Sequence, residues 1–220
     1  MNYDSVIFDF DSTLIRVESL EYILKDMVED PRQMNEIIRL TDAGMSGQMP
    51  FDQALAARFS IARPTTAALS GFVERYCPDA ITTGMLDLIQ SLKSQGVAVF
   101  IISGGIEAAI LPFARFLGID QNHVFAVRLL WDSRGQFSAI DNSNGFASSK
   151  QEGARRICDR FKGRSVIIGD GMTDYALYHA GLVDDFIAYT EHVTRQPVVD
   201  VAPHIAKDVN RLKRILGVFH

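Results

Sequence analysis

The stretch VIFDFDST, Val6 to Thr13, sets Asp9 and Asp11 two positions apart at the end of an apolar run. An ionised carboxylate is expensive to bury unless a cation or hydrogen bonds compensate it. Val6-Ile-Phe8 reads as a short strand buried on both faces. Asp9 then lies at the carboxyl edge where the chain leaves the core, and Asp11 follows in the turn. A lone Asp-x-Asp reads first as a strand closed by turn-forming residues, so a functional meaning depends on what accompanies it.

Working outward, further β-branched or aromatic runs occur at Val97–Ile102, Val124–Val127, Ser165–Ile168 and Phe186–Tyr189. Helical patterns lie between them: Thr83–Gln95, closed by Gly96, Ile106–Leu117, in which Pro112 is expected to kink the helix, and Ser149–Phe161. Alternating strands and helices predict an α/β fold with a Rossmann-like parallel sheet and helices on both faces. Ligands collect at the carboxyl ends of such strands. Two segments interrupt the alternation. Residues 17–76 show amphipathic helices but no strand, with turn signals at Asp30-Pro31, Gly44–Pro50 and Arg63-Pro64, so a small helical cap is expected there, inserted into a core of residues 1–16 and 77–220. Arg128–Ile140 reads as a β-hairpin around Asp132–Gly135.

The acids gain company at later strand ends. Ser103-Gly104-Gly105 follows the second run and is expected to form a strand-to-helix turn whose hydroxyl and bare amides can hold phosphate oxygens. Gly169-Asp170-Gly-Met-Thr-Asp174 follows the fourth run and brings two more carboxylates. Acids converging on one edge repel unless a cation sits among them, and hard oxygen ligands suit Mg²⁺. Lys150 opens the helix before that run, where the helix dipole disfavours a cation; taken by itself it reads as a solvated surface lysine.

Of the 220 residues 47% are hydrophobic and 22% charged, with a net charge of −5, the pattern of a soluble globular chain. No basic footprint for nucleic acid and no long apolar segment for a membrane is present. The N-terminal residues lack the pattern of a secretion signal, so a cytoplasmic location is expected. Cys77 and Cys158 are far apart and are expected to be buried as small hydrophobes, and the five histidines do not cluster.

The ordered set resembles the haloacid dehalogenase superfamily: DFDST for its first motif, Ser103 for the second, Lys150 for the third and GDGMTD for the fourth. With a cap between the first two motifs, the likeness narrows to the branch containing phosphoserine phosphatases. The resemblance implies hydrolysis of a small phosphomonoester through an aspartyl phosphate, by a monomer or homodimer. Asp9 would be the nucleophile and Asp11 the general acid and base. Ser103, Gly104 and Lys150 would bind the phosphoryl group. Mg²⁺ would be held by Asp9, the Asp11 carbonyl and Asp170, with Asp174 in support. Asp11 favours a phosphatase over a dehalogenase, because halide release needs no acid.

Glu18 and Arg58 stand where that branch keeps its binders of the substrate amine and carboxylate, with Met45, Phe51 and Thr173 as further substrate contacts. Thr194-Arg195-Gln196 matches an Arg-Gln pair common in the branch. Val127-Arg128-Leu129 departs from its usual Asn-Arg-Leu, and Ser149-Lys150-Gln151 from Gly-Lys-Gly. The alternative substrates are phosphoethanolamine, phosphocholine or a sugar phosphate. A phosphometabolite-binding module without turnover is the reading from another class; an intact nucleophile and acid argue against it.

Overall fold

The structure is a computed structural model that describes residues 3–218. Its centre is one sheet of β1 (Ser5–Phe8), β2 (Ala98–Ile106), β3 (Val124–Trp131), β4 (Phe137–Asp141), β5 (Ser165–Gly169), β6 (Asp185–Tyr189) and β7 (His204–Ala206). The hydrogen-bonded order is β4-β3-β2-β1-β5-β6-β7. All neighbours are parallel except β3 and β4, which form the expected hairpin.

Period-2 side-chain alternation divides the core between the faces. Val6, Phe8, Val99 and Ile101 point into one apolar cluster, and Ile7, Phe100, Ile102 and Ile167 into the other. On the first side lie α5 (Met85–Ser94), α6 (Glu107–Phe116) and α10 (Val209–Leu216), which bury Leu88, Phe113 and Leu212 there. α7 (Lys150–Arg155), α8 (Met172–His179) and α9 (Gln196–Val201) bury Ala154, Leu177 and Val198 on the second. Because β1 pairs with both β2 and β5, its carboxyl end lies where the chain leaves in opposite directions, the usual place for a ligand crevice.

Between β1 and β2 the chain forms α1 (Ser19–Lys25), α2 (Pro31–Met45), α3 (Phe51–Ile61) and α4 (Thr66–Tyr76). Their boundaries follow local chemistry. Asp30 caps α2 with Pro31 at its first position, and Thr65 caps α4 by accepting the Ala68 amide. The β3–β4 hairpin holds the far end of this insert: the Thr66 amide donates to the Gly135 carbonyl at 2.9 Å, and the Phe59 and Phe137 rings lie 4.9 Å apart.

Several expectations need correction. β2 continues through Ser103, Gly104 and Gly105 to Ile106, with a register shift against β3 between Ile102 and Ile106, so these glycines form an irregular strand end rather than a turn. The helix α6 runs continuously through Pro112, in keeping with either a straight or a kinked axis, with burial of Ala109, Ile110, Phe113 and Ala114 offsetting the lost backbone hydrogen bond. α7 stops at Arg155, because Ile157 leaves helical backbone (φ −132°, ψ 0°) before a separate turn at Cys158–Arg160. β7 carried no legible signal, being three residues long with His204 and Ile205 exposed. Cys77 and Cys158 are half-buried rather than buried.

Gly153 faces the buried Phe146 ring, and a Cβ there would meet ring atoms at 2.5 Å. Alanine in a helix interior is ordinarily favoured by about 1 kcal/mol, but overpacking costs about 1–3 kcal/mol. Gly153→Ala is therefore expected to lower the urea unfolding midpoint; a raised midpoint would show that Phe146 yields freely.

Candidate active site

Asp9 ends β1, with its amide donating to the Ile168 carbonyl of β5 at 2.8 Å. The chain then winds through one wide helical turn, Phe10–Leu14, in which Ser12 takes a left-handed φ of 51°. Asp9 Oδ1 accepts the Phe10 amide at 2.7 Å, and Asp11 Oδ1 accepts the Ser19 amide at 2.7 Å. The turn thus separates the two acids into different hydrogen-bonding environments.

Lys150 is the opposite of a surface lysine. It is 1% exposed, and its Nζ lies 2.7 Å from Asp9 Oδ1 and 2.7 Å from Asp174 Oδ1. Burial alone would drive the ammonium down, yet Asp174 and Asp9 hold it above its ordinary value. The Ser149 cap orients the helix by accepting the Glu152 amide. Asp170, at the end of β5, is raised by burial against the pull of Arg195, and Asp174 is raised to about 7, first by burial and then by Asp9.

Carboxylate oxygens of Asp9, Asp170 and Asp174 come within 4.8 Å of one another, all on buried residues. Asp9 Oδ2 and Asp170 Oδ1 are buried without a hydrogen-bond partner. Two orphaned oxygens in a hard-oxygen cluster are the donor set a divalent cation needs, so these residues fit Mg²⁺. The Asp11 side chain is outside the trio. It faces Glu18 and Asp9, and burial followed by those two charges pushes its carboxyl well above the usual carboxylate range.

The remaining residues singled out in the sequence converge from the insert, from the end of β2 and from α8. Asp9, Asp11, Glu18, Met45, Phe51, Arg58, Gly104 and Lys150 line one cavity of about 30 Å³, room for roughly two water molecules. Phe51 lies so close to Gly104 that a Cβ there would be 2.7 Å from the ring. Met45 reaches Thr173, whose hydroxyl lies 3.9 Å from the Met45 sulfur. Ser103 is fully buried beside them, its Oγ accepting the Gly105 amide at 2.9 Å. Arg58 is buried, donating from Nε to the Ala54 carbonyl and from Nη1 to Thr41. Burial lowers its proton affinity against the charges of Glu18, Asp11 and Glu21.

The structure adds Glu21, Thr41 and Gly105 to the cavity lining. Glu21 was legible in principle, three residues after Glu18 on one helix face. Arg195, noticed only as half of an Arg-Gln pair, is also buried here, paired with Asp170 and within 3.4 Å of Asp42. Its type and position carried no sign of burial.

Comparison with known proteins agrees with the geometry. The family model of haloacid dehalogenase-like hydrolases matches residues 6–179. Human phosphoserine phosphatase is 32% identical over 203 residues, 90% of this chain and 87% of its own length. The chloroplastic phosphoserine phosphatase of Arabidopsis thaliana is 30% identical over 89% of this chain, which spans 65% of that relative. The crystal structure of a phosphoserine phosphohydrolase-like protein from Francisella tularensis superposes with a TM-score of 0.95 at 40% identity, covering 97% of this chain and 99% of that one.

Glu21 gives a pH prediction. Burial, and then the Glu18 charge, raises its carboxyl from 4.5 to about 7. The folded state therefore holds this proton more tightly than the unfolded chain, and the associated stability is full below pH 4.5 and lost as pH rises through 7. Glu21→Gln is expected to match the parent near pH 4.5 and exceed it by on the order of 1–2 kcal/mol at pH 8, the group being partly exposed. Urea denaturation at the two pH values measures the difference; equal gains at both would exclude titration as the cause.

Proposed function

The chain belongs to the haloacid dehalogenase-like hydrolase family, and we propose that it is a Mg²⁺-dependent phosphoserine phosphatase, releasing L-serine and inorganic phosphate. The observation that carries the substrate is the pairing of Glu18 and Arg58 in the cavity that also holds Asp9, Asp11 and Lys150. Phosphoserine offers an ammonium, a carboxylate and a phosphate. The cavity offers an acid, a planar fork suited to carboxylate, and a buried ammonium beside the nucleophile. The phosphoserine phosphatases among the relatives support the same reading.

In this mechanism an Asp9 carboxylate oxygen attacks phosphorus while the ester P–O bond breaks, and Asp11 gives its proton to the departing serine oxygen. Water then attacks the aspartyl phosphate, Asp11 takes the water proton, and the bond from Asp9 to phosphorus breaks to free phosphate. Two environments for two acids serve these roles: Asp9 lies 2.7 Å from the Lys150 ammonium, and Asp11 is buried near Glu18 and Asp9, which favours its protonated form. Ser103 and Gly104 would contact the phosphoryl oxygens. Asp9, Asp170 and Asp174, with the Asp11 carbonyl, would hold Mg²⁺. The ion would supply charge neutralisation for the phosphoryl group and its anionic nucleophile.

Residues 17–76 would act as a cap over the core of residues 1–16 and 77–220, with Met45, Phe51 and Thr173 closing on the substrate. A cavity of about 30 Å³ must widen to admit a metabolite, so binding would require the cap to move. We place the reaction in the cytoplasm, as the step that completes serine biosynthesis, carried out by a monomer or homodimer. No helix among the described residues is long and apolar enough to cross a membrane.

A phosphate-release assay across phosphoserine, phosphothreonine, phosphoethanolamine, phosphocholine and sugar phosphates tests the substrate. Phosphoserine is expected to have the highest kcat/KM, and Arg58→Ala to lower it at least tenfold more than activity on an aryl phosphate. A preference for phosphoethanolamine would instead favour the sibling reading, in which Glu21 beside Glu18 serves an ammonium without a carboxylate.

Asp9→Asn is expected to abolish turnover while phosphoserine still protects the protein against thermal unfolding. Retained turnover would remove Asp9 as nucleophile, and with it the aspartyl phosphate.

A further inference from the structure

Arg195 has no role in the mechanism above, yet its guanidinium is buried between the acidic cluster and the insert. It stands at the start of α9. Nη1 is ion-paired with Asp170 Oδ2. Nη2 lies 3.4 Å from Asp42 Oδ1 on α2 and 3.8 Å from Glu18 Oε1. Burying a guanidinium is expensive unless its partners are well placed, and its Nε has no hydrogen-bond partner. The position therefore has a cost that packing does not explain.

Which oxygens Arg195 takes is informative. On Asp170 it occupies Oδ2 and leaves Oδ1, the buried oxygen without a partner. On Glu18 it approaches Oε1, the oxygen that already accepts the Ser12 hydroxyl at 2.7 Å. Glu18 Oε2 makes no hydrogen bond among the described residues. The guanidinium thus pairs with one oxygen of Asp170 and lies within ion-pair distance of one oxygen of Glu18, while the other oxygen of each carboxylate makes no hydrogen bond among the described residues. Partners behind a ligand carboxylate orient it, and their loss typically weakens metal binding 10–100-fold.

We propose that Arg195 is a positioning residue shared by two sites: it turns Asp170 toward the metal and Glu18 toward the substrate ammonium. The proposal deepens the phosphatase reading and rests on it. Asp42, which is largely exposed, extends the same contact to α2, so the orientation of both carboxylates is completed only when the insert lies against the core.

Arg195→Ala separates this role from one of charge or packing. Deleting a nearby cation would by itself tighten binding of a divalent ion, so weaker binding reports lost orientation. Mn²⁺ binding, followed by electron paramagnetic resonance of the free ion with Mg²⁺ as competitor, needs no turnover. The expected result is at least tenfold weaker Mn²⁺ binding. At saturating Mg²⁺, KM for phosphoserine is further expected to rise at least fivefold more than KM for 3-phosphooxypropanoate, which lacks only the ammonium. Unchanged or tighter Mn²⁺ binding, or equal KM changes on the two substrates, would overturn the proposal. Should the alanine variant not fold, Arg195→Lys keeps the charge without the fork. It is expected to show both losses in smaller measure, and parental values in that folded variant would overturn the proposal equally. Parent protein that binds no Mn²⁺ would overturn the metal reading together with this one, whereas parental binding with unaltered variants overturns this one alone.

Discussion

Everything at the carboxyl edge of the sheet depends on Lys150 Nζ sitting 2.7 Å from both Asp9 and Asp174. Removing one member of a buried ion group leaves an uncompensated charge that typically costs about 3–5 kcal/mol, so the three side chains are coupled. They come from β1, α7 and α8, elements far apart in the chain. Their meeting requires β1 to lie in register beside β5, with Phe8 opposite Ile168, and α7 to pack on the same face as α8. The apolar sheet supplies that alignment, and the polar triad uses it.

A second constraint is the imbalance that remains. Asp9, Asp11, Glu18 and Glu21 line a small cavity opposite only Lys150 and Arg58, and Asp170 and Asp174 add two further acids behind it. Arg195 moderates the imbalance from the rear without filling the front. The upward displacement of Asp11, Glu18, Glu21, Asp170 and Asp174 shares one first cause, burial. A site of this kind is poised to accept positive charge.

The central strands and the acids at their ends were legible in the sequence because both are written locally. Val6–Phe8 and Ser165–Ile168 are short apolar runs ended by Asp or Gly, and the side chains that follow a strand must emerge at its end. Glu18 and Arg58 were legible only through resemblance, since an acid and a base on amphipathic helices are ordinarily solvated. What escaped was decided by tertiary packing. Ser103-Gly-Gly105 stays extended because β2 continues its pairing to Ile106. Arg195 is buried because Asp170, Asp42 and Glu18, from three separate segments, meet around it.

The hairpin contact with the insert has a mechanical consequence. α3 is held at Phe59 by Phe137, while at its other end Phe51 rests against the bare backbone of Gly104. The helix therefore spans from the hairpin to the cavity beside Asp9. The eight residues between Phe51 and Phe59 make an arm of about 12 Å, so a tilt of about 10° moves the tip by roughly 2 Å. A displacement of that size exceeds the slack in the ring's contact with Gly104, so small changes in the packing of α3 are felt directly at the cavity.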